Sequence, residues 1–177
     1  NAFTSGEMTA FWGAGLPEVL RTIHNTISEI LRPALRQKDF DDEKKVILEE
    51  IAMYDDQPFW VLYEAALEQY YGKSSLGHRV LGTPETITAM QRDELAEYFA
   101  KRYSADNTTV VLSGKVNFEE MVDCIQTVCG SWECTNATRN YNEVVRNEGM
   151  FEKHIPELQQ HYQIMMMPSV SFQSEHK

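Results

Sequence analysis

Apolar residues recur at helical spacing through most of the chain, and prolines and glycines divide this pattern into segments. Pro17 stands where the first turn of a helix accepts proline, and Pro58 marks a break followed by a new helical start. Asn117 is a typical N-cap. The 3.6-residue period predicts helices over 19–31, 39–56, 59–71, 92–103 and 118–129, with a short helical turn at 83–85.

Three other segments have the composition of strands. Residues 1–12 are rich in Thr, Phe and small residues and have no helical period, residues 108–112 are β-branched, and residues 163–167 predict a buried strand with methionines as core filler. Residues 72–84 are predicted as a loop, and residues 133–147 are polar and predicted as a linker. This order of strands and helices predicts an α+β fold.

Two acids on the predicted helix 39–56 occupy unusual positions. At 100° per residue, Glu50 lies only about 20° from Glu43, whereas Glu49 falls on the polar side. Both acids then lie within a predicted apolar stripe made of Val46, Ile47, Ile51, Met53 and Tyr54. A carboxylate in an apolar face costs free energy unless it is paired, hydrogen-bonded or bound to a metal. A structural ion pair is the commoner explanation, and a metal ligand or catalytic acid is the alternative.

Composition narrows the function classes. The 177 residues suit one domain, and 42% hydrophobic residues are enough for a core. A net charge of −11 without a basic patch argues against nucleic-acid binding. No apolar run approaches the ~18 residues of a membrane span. The cysteines at 124, 129 and 134 form no CxxC motif and are predicted to be free thiols. The start at Asn1, within patterned sequence, indicates a piece of a longer chain.

Three ordered blocks resemble the pitrilysin/insulinase family of inverted zinc metallopeptidases, especially its smaller bacterial members. The blocks are NAFTSGEMT at 1–9, EKKVILEEIAMYDDQP at 43–58 and LGHRVLGTPETI at 76–87, and YSADN at 103–107 also fits. The resemblance implies a two-layer sandwich of a mostly antiparallel sheet packed with helices, the processing-peptidase-like half-domain. It places 1–132 in an N-terminal catalytic domain, 133–148 in a polar linker and 149–177 in the following segment, which begins with the buried strand.

The resemblance also implies roles for individual residues. Family members bind zinc through two histidines of an inverted His-x-x-Glu-His motif and a downstream glutamate, and the Glu of the motif activates the water. On this pattern Glu50 is the zinc ligand and Glu43 is a supporting acid that orients a ligating imidazole. An edge strand that docks extended peptides maps onto Asn1, Ala2, Phe3 and Thr4. The motif itself is absent from 1–177 and is expected upstream of Asn1, so no catalytic residue is assigned within this chain.

The predicted function is a zinc-dependent endopeptidase that cleaves extended peptides, with this chain as a fragment of its catalytic domain. The expected cofactor is Zn²⁺. The expected partners are a peptide substrate, the upstream histidine segment and a second homologous half-domain or subunit. The chain alone is expected to be inactive and to hold no zinc, because it supplies one ligand. Two alternatives stay open: a non-catalytic paralogue acting as a partner subunit of a peptidase complex, and an acidic interaction module without chemistry. The protein is expected to be soluble, in the bacterial cytoplasm or periplasm.

Overall fold

The computed structural model describes residues 1–138, 144, 146–156, 158–170 and 175. The chain opens with an antiparallel hairpin of β1 (Ala2–Thr4) and β2 (Thr9–Phe11). Helices follow in the order α1 (Leu20–Ile30), α2 (Gln37–Asp55), α3 (Pro58–Tyr71), α4 (Pro84–Ala89), α5 (Arg92–Arg102) and α6 (Phe118–Cys129). The described part of the chain is therefore helix-rich, with one small two-stranded sheet.

The helix predictions are confirmed to within a few residues, and local signals explain where the helices begin. A single 3₁₀ turn, Pro17–Val19, leads into α1, and Pro58 occupies the first turn of α3, where its missing N–H costs nothing. Asn117 caps α6, its side-chain oxygen accepting the Glu120 N–H at 3.4 Å. Thr83 and Thr86 form a reciprocal capping box at the start of α4.

The first predicted strand, 1–12, is two strands rather than one. The chain reverses over Ser5 to Met8, where the Ser5 N–H donates to the Met8 carbonyl at 2.8 Å and the Met8 N–H donates to Ser5 Oγ at 3.3 Å. The side chain of Ser5 thus satisfies a backbone group inside the turn, which is a common use of serine. The Ser5-Gly6 pair is a turn signal that the sequence analysis did not use.

The buried core is small and lies between helices. α1 packs against α6, and α2 packs against both α3 and α4. Ile51 of α2 is 1% exposed, and Met121 and Cys124 of α6 are also buried. These contacts place α2 with one side against its neighbours and the other side open in the described structure. None of the described helices combines the length and the apolar character needed to cross a membrane.

Two predicted strands are absent from the described structure. Residues 108–112 have no strand partner among the described residues, and Val110 and Val111 are exposed. The stretch 163–167 is likewise unpaired there, with Met165 and Met167 exposed, so it is not a buried strand. β-branched or apolar composition favours extended backbone, but a strand also needs a neighbouring strand to complete its ladder. The full two-layer sandwich therefore remains a prediction.

The predicted linker has no helix or strand in its described residues, and 139–143 and 145 lie outside the described part. Its end is anchored to α3. The Asn147 N–H donates to the Tyr70 carbonyl at 2.8 Å, and the Asn147 side-chain amide donates to the Gln69 carbonyl at 3.0 Å. These bonds satisfy carbonyls that the last turn of a helix leaves free.

Candidate metal-ligand helix and peptide-docking edge

Both candidate acids lie on one uninterrupted helix, α2. Because α2 runs through both positions, the seven-residue spacing places Glu43 and Glu50 on the same side of it, about 10.5 Å apart along the axis. Glu50 is half-buried, whereas Glu43 and Glu49 are exposed. Of the three acids, Glu50 is thus the one that is partly withdrawn from solvent.

The buried side of α2 differs in part from the predicted apolar stripe. Ile51 is fully buried and Ile47 and Leu48 are half-buried, but Val46 is 54% and Met53 is 52% exposed. The predicted apolar stripe is therefore only partly buried. α3 and α4 cover the side of α2 centred on Ile51, and Val46, Met53 and the two acids lie beside that covered side.

The cations of α2 and of its N-cap residue, Arg36, are engaged with other groups. Arg36 pairs with Asp39 at 2.7 Å, and Lys38 and Lys45 pair with Asp42 at 2.8 and 3.1 Å. Hydrogen bonds from Lys38 and then Lys45 hold the pKa of the Asp42 carboxyl below its ordinary value.

Lys44 is also engaged, because its ammonium donates to the carbonyls of Thr88 at 2.8 Å and Met90 at 3.0 Å. In the described part of the chain, no basic side chain forms an ion pair with Glu43 or Glu50. The commoner explanation for an acid at this position, a structural ion pair, is therefore not supplied by the residues seen here.

Glu50 fits one position of a zinc site but does not make a site by itself. The carboxylate of a half-buried glutamate that has no ion-pair partner is a suitable oxygen donor for zinc. The described residues contain no group of three or more His, Cys, Asp and Glu side chains arranged to hold a metal ion. Further ligands of a zinc bound by Glu50 would have to come from outside this set.

The hairpin places the predicted docking residues on a free strand edge. Hydrogen-bonded pairs join Asn1 with Trp12 and Ser5 with Met8, so the backbone groups of Asn1, Phe3 and Ser5 face β2. The backbone groups of Ala2 and Thr4 consequently face away from β2. No described strand pairs with this outer edge.

One donor of this outer edge is already occupied by a side chain. The Ala2 N–H donates to the Asn1 side-chain oxygen at 2.9 Å. The N–H and carbonyl of Thr4 and the carbonyl of Ala2 remain for an added strand. Asn1 therefore blocks part of the edge in this structure, as side chains on free strand edges often do.

An exposed aromatic surface lies at the junction of α2 and α3. Phe59, Trp60 and Tyr63 are each more than a third exposed, and they pack against one another. Tyr54 of α2 joins them through an edge contact with Trp60 at 5.6 Å. Exposed Met53 precedes Tyr54 on the same helix, so uncovered apolar side chains follow α2 from beside Glu50 into α3.

A charged cluster that the sequence analysis did not identify ties the 72–84 loop to two helices. Arg79 Nη2 lies 2.8 Å from Asp55 of α2, and Arg79 Nε lies 2.6 Å from Glu64 of α3 as an ion pair without hydrogen-bond alignment. Burial raises the pKa of Glu64 above its ordinary value of 4.5, and Arg79 only partly opposes this. The sequence did contain one signal for this cluster, because Arg79 is the single arginine of the block 76–87.

Comparison with known proteins bears on this arrangement. Residues 89–177, half of the chain, match the family model described as the Peptidase M16 inactive domain. The chain belongs to the M16 peptidases, the pitrilysin/insulinase family. The match confirms the resemblance that the three sequence blocks indicated. It begins after α2 and runs across 133–148, so Glu43 and Glu50 lie outside the part described as inactive.

M16 relatives among curated proteins are named as zinc proteases. The chain is 33% identical over 132 residues to the uncharacterized zinc protease ML0855 of Mycobacterium leprae, covering 74% of this chain and 30% of that protein. It is 28% identical over 134 residues to the zinc protease YmxG of Bacillus subtilis, and this match covers 75% of the chain and 32% of YmxG. It is 30% identical over 154 residues to the zinc protease YmfH of the same organism, and this match covers 86% of the chain and 36% of YmfH. The chain spans about a third of the length of these relatives.

Proposed function

We propose that this chain is part of a zinc-dependent endopeptidase and supplies one zinc ligand, Glu50, together with a docking edge for the peptide substrate. The observation that carries the proposal is that Glu50 is half-buried and has no basic partner among the described residues. Zinc-protease names among the relatives support the same metal.

The two acids of α2 take different roles in this proposal. Glu50 binds the ion, and Glu43, two helical turns earlier, is too far along the axis to bind the same ion and instead orients an imidazole ligand. Two histidines and a catalytic glutamate from a His-x-x-Glu-His segment upstream of Asn1 complete the site. The chemistry that zinc supplies in such a site is a bound water of lowered pKa and a polarised scissile carbonyl.

Peptide binding is assigned to Asn1, Ala2, Phe3 and Thr4. An extended peptide added to the outer edge of β1 is held mainly by main-chain hydrogen bonds with Thr4 and Ala2, which gives broad sequence tolerance. The Asn1 side chain must release the Ala2 N–H for the added strand to extend over that residue. Peptide docking thus replaces the hydrogen bond from the Ala2 N–H to the Asn1 side chain with a hydrogen bond to the peptide backbone.

The complete assembly is proposed to be larger than the described structure. The uncovered side chains Val46 and Met53, beside Glu50, suit a covering helix that carries the histidine motif. We assign 1–132 to a catalytic half-domain with the two-layer sandwich, 133–148 to a linker, and 149–177 to the following segment. A second homologous half-domain or subunit closes the chamber.

A non-catalytic role is the second candidate, and one observation favours it. The model that matches 89–177 is described as an inactive domain. Under this alternative the chain is a partner subunit of a peptidase complex, and no histidine motif accompanies Glu50. An acidic interaction module without chemistry is a third reading, supported only by the net charge of −11.

Peptide cleavage separates these functions. A longer chain that carries a His-x-x-Glu-His segment upstream of Asn1 should cleave a quenched-fluorescence peptide, and added chelator should stop it because the ion is essential. The matched control is the same chain with the Glu of that motif changed to Gln. Failure of the longer, folded, zinc-supplied chain to cleave any extended peptide would favour the non-catalytic role.

A further inference from the structure

Three residues that hold α2 against its neighbours lie on one side of this helix. Ile51 is fully buried, and the Lys44 ammonium donates to two carbonyls at the end of α4. Asp55 accepts a hydrogen bond from Arg79 at 2.8 Å. At 100° per residue, Ile51, Lys44 and Asp55 lie about 100° to 140° around the helix from Glu50. These contacts therefore hold α2 from one side, and the side that carries Glu50 takes no part in them.

The contact of Lys44 ties the first half of α2 to α4. Lys44 is half-buried, and its Nζ lies 2.8 Å from the Thr88 carbonyl oxygen and 3.0 Å from that of Met90. Carbonyls in the last turn of a helix lack helical partners, and a cation there is also favoured by the helix dipole. The bond is therefore well placed to fix the position of α2 relative to α4.

The contact of Arg79 ties the end of α2 to α3. Its guanidinium joins Asp55, the last residue of α2, with Glu64 of α3, and the Arg79 and Glu64 side chains are only 24% and 23% exposed. The loop that carries Arg79 is tightly folded, because a Cβ at buried Gly77 would lie 2.3 Å from the Gly72 carbonyl oxygen. A planar guanidinium between two acids sets their relative positions more strictly than a flexible ammonium would.

We propose that Lys44 and Arg79 are positioning residues that fix the rotation of α2 about its axis and thereby direct Glu50 toward the zinc ion. This inference rests on the proposed function. Lys44 lies about 9 Å before Glu50 along the axis, and Asp55, the partner of Arg79, lies about 7.5 Å beyond it. The two contacts thus bracket the ligand without touching it.

The size of the effect follows from helix geometry. A rotation of α2 by about 20° moves an atom 5–6 Å from its axis by about 2 Å. Bonds between a metal and its ligands tolerate only about 0.2 Å. Glu50 would have to make up the difference by leaving its preferred rotamer, which costs free energy. Loss of either contact should therefore weaken zinc binding even though neither cation bonds to the ion.

The test is the zinc affinity of the longer chain that carries the histidine segment, measured by competition with a chromophoric chelator. Lys44→Met and Arg79→Gln should each weaken zinc binding about tenfold, as expected for a group that orients a ligand. Lys44→Arg keeps a cation with N–H donors at position 44 and should retain the wild-type affinity. A residue that served only the general stability of the fold would not give this pattern in folded protein.

Lys38→Met and Arg102→Gln are the matched controls. Lys38 pairs with Asp42 inside α2, and half-buried Arg102 of α5 donates to the Thr138 carbonyl at 3.0 Å. Each control removes the same kind of side chain as its counterpart but none of the contacts of α2 with α3 or α4. Both controls should bind zinc like the wild type.

Glu50→Gln in the same assay separates this proposal from the proposed function. If Glu50→Gln loses zinc but Lys44→Met or folded Arg79→Gln binds it like the controls, the positioning roles alone are overturned. The same conclusion follows if the controls lose as much affinity, or if Lys44→Arg binds no better than Lys44→Met. Wild-type affinity in Glu50→Gln would overturn the proposed function, and this proposal with it. Circular dichroism and thermal unfolding establish which variants are folded, and Lys44→Met decides if Arg79→Gln is not.

Discussion

Glu49 and Glu50 are adjacent in sequence but differ in their surroundings. Glu49 is exposed, while Glu50 is half-buried next to fully buried Ile51. The half-buried acid has no basic partner among the described residues, although α2 carries three lysines and is preceded by Arg36. This contrast between neighbours makes Glu49 the natural control for any test of Glu50.

The Arg79 cluster gives a prediction at the same scale. Because burial raises the pKa of Glu64, the folded state binds the proton more tightly than the unfolded state. The contribution of Glu64 to the unfolding free energy is therefore most favourable below its ordinary pKa of 4.5 and declines as the pH rises from 4.5 through the raised pKa. Glu64→Gln should remove this decline, as measured by urea unfolding across pH.

Asp42 provides a control of opposite sign. Its pKa is lowered by Lys38 and Lys45, so its contribution is present above its ordinary pKa of 3.8 and is lost as the pH falls through the lowered value. Asp42→Asn should remove a loss of unfolding free energy that occurs as the pH falls below 3.8. Glu64→Gln should instead remove a loss of unfolding free energy that occurs as the pH rises above 4.5. A wild-type stability that rises relative to Glu64→Gln as the pH increases from 4.5 would contradict the role of burial at Glu64.

At the scale of elements, the sequence predicted the helices well because their limits are set locally. Pro58 and Asn117 mark starts wherever the rest of the chain lies, and the period of Ile47, Ile51 and Tyr54 identified α2. Strands depend on partners that a local pattern does not contain. Residues 108–112 have suitable composition but no described partner, so the composition was misleading there.

The candidate site was predictable to a similar extent. The phase of α2 identified Glu43 and Glu50, since a helical period fixes relative direction. The helical period of α2 did not show that Val46 and Met53 are exposed, because their exposure depends on which other helices pack against α2. The contacts of Arg79 with Asp55 and of His24 with Cys124 join residues 24 and 100 positions apart, and no local pattern reveals such pairs.

The hairpin supports a prediction about its free edge. Ala2→Pro removes the outward N–H of β1 but leaves the β1–β2 ladder intact, because the Ala2 N–H does not face β2. In the longer chain that we propose to be the enzyme, this change should raise KM for an extended peptide several-fold, by about 1 kcal/mol for one lost ladder bond, with kcat less affected.

Thr9→Pro is the matched control for the edge. Thr9 lies opposite Thr4 in a pair without backbone hydrogen bonds, so its N–H faces the other side of the hairpin. The Thr9→Pro variant should therefore leave KM for the extended peptide unchanged. If KM is unaltered by Ala2→Pro, or rises equally in both variants, the outer edge of β1 is not where the peptide docks.

At the scale of the whole molecule, the 177-residue chain should neither bind zinc tightly at Glu50 nor cleave peptides. Catalytic zinc needs three protein ligands, and Glu50 is the single one assigned here. Elemental analysis of the purified chain after dialysis should give far less than one zinc per chain, and a quenched peptide should remain intact. One tightly held zinc per short chain would place the metal site elsewhere.

The most direct measurement is the zinc content of the longer chain with Glu50→Gln, compared with the same chain carrying Glu49→Gln. Each change removes one negative charge, and the two positions are adjacent on α2. Any effect on helix stability or net charge should therefore be the same in the two variants. If Glu50 is the ligand, the Glu49→Gln chain retains one zinc and full peptide cleavage, whereas the Glu50→Gln chain loses both. Equal zinc content and activity in the two variants would show that Glu50 does not bind the ion.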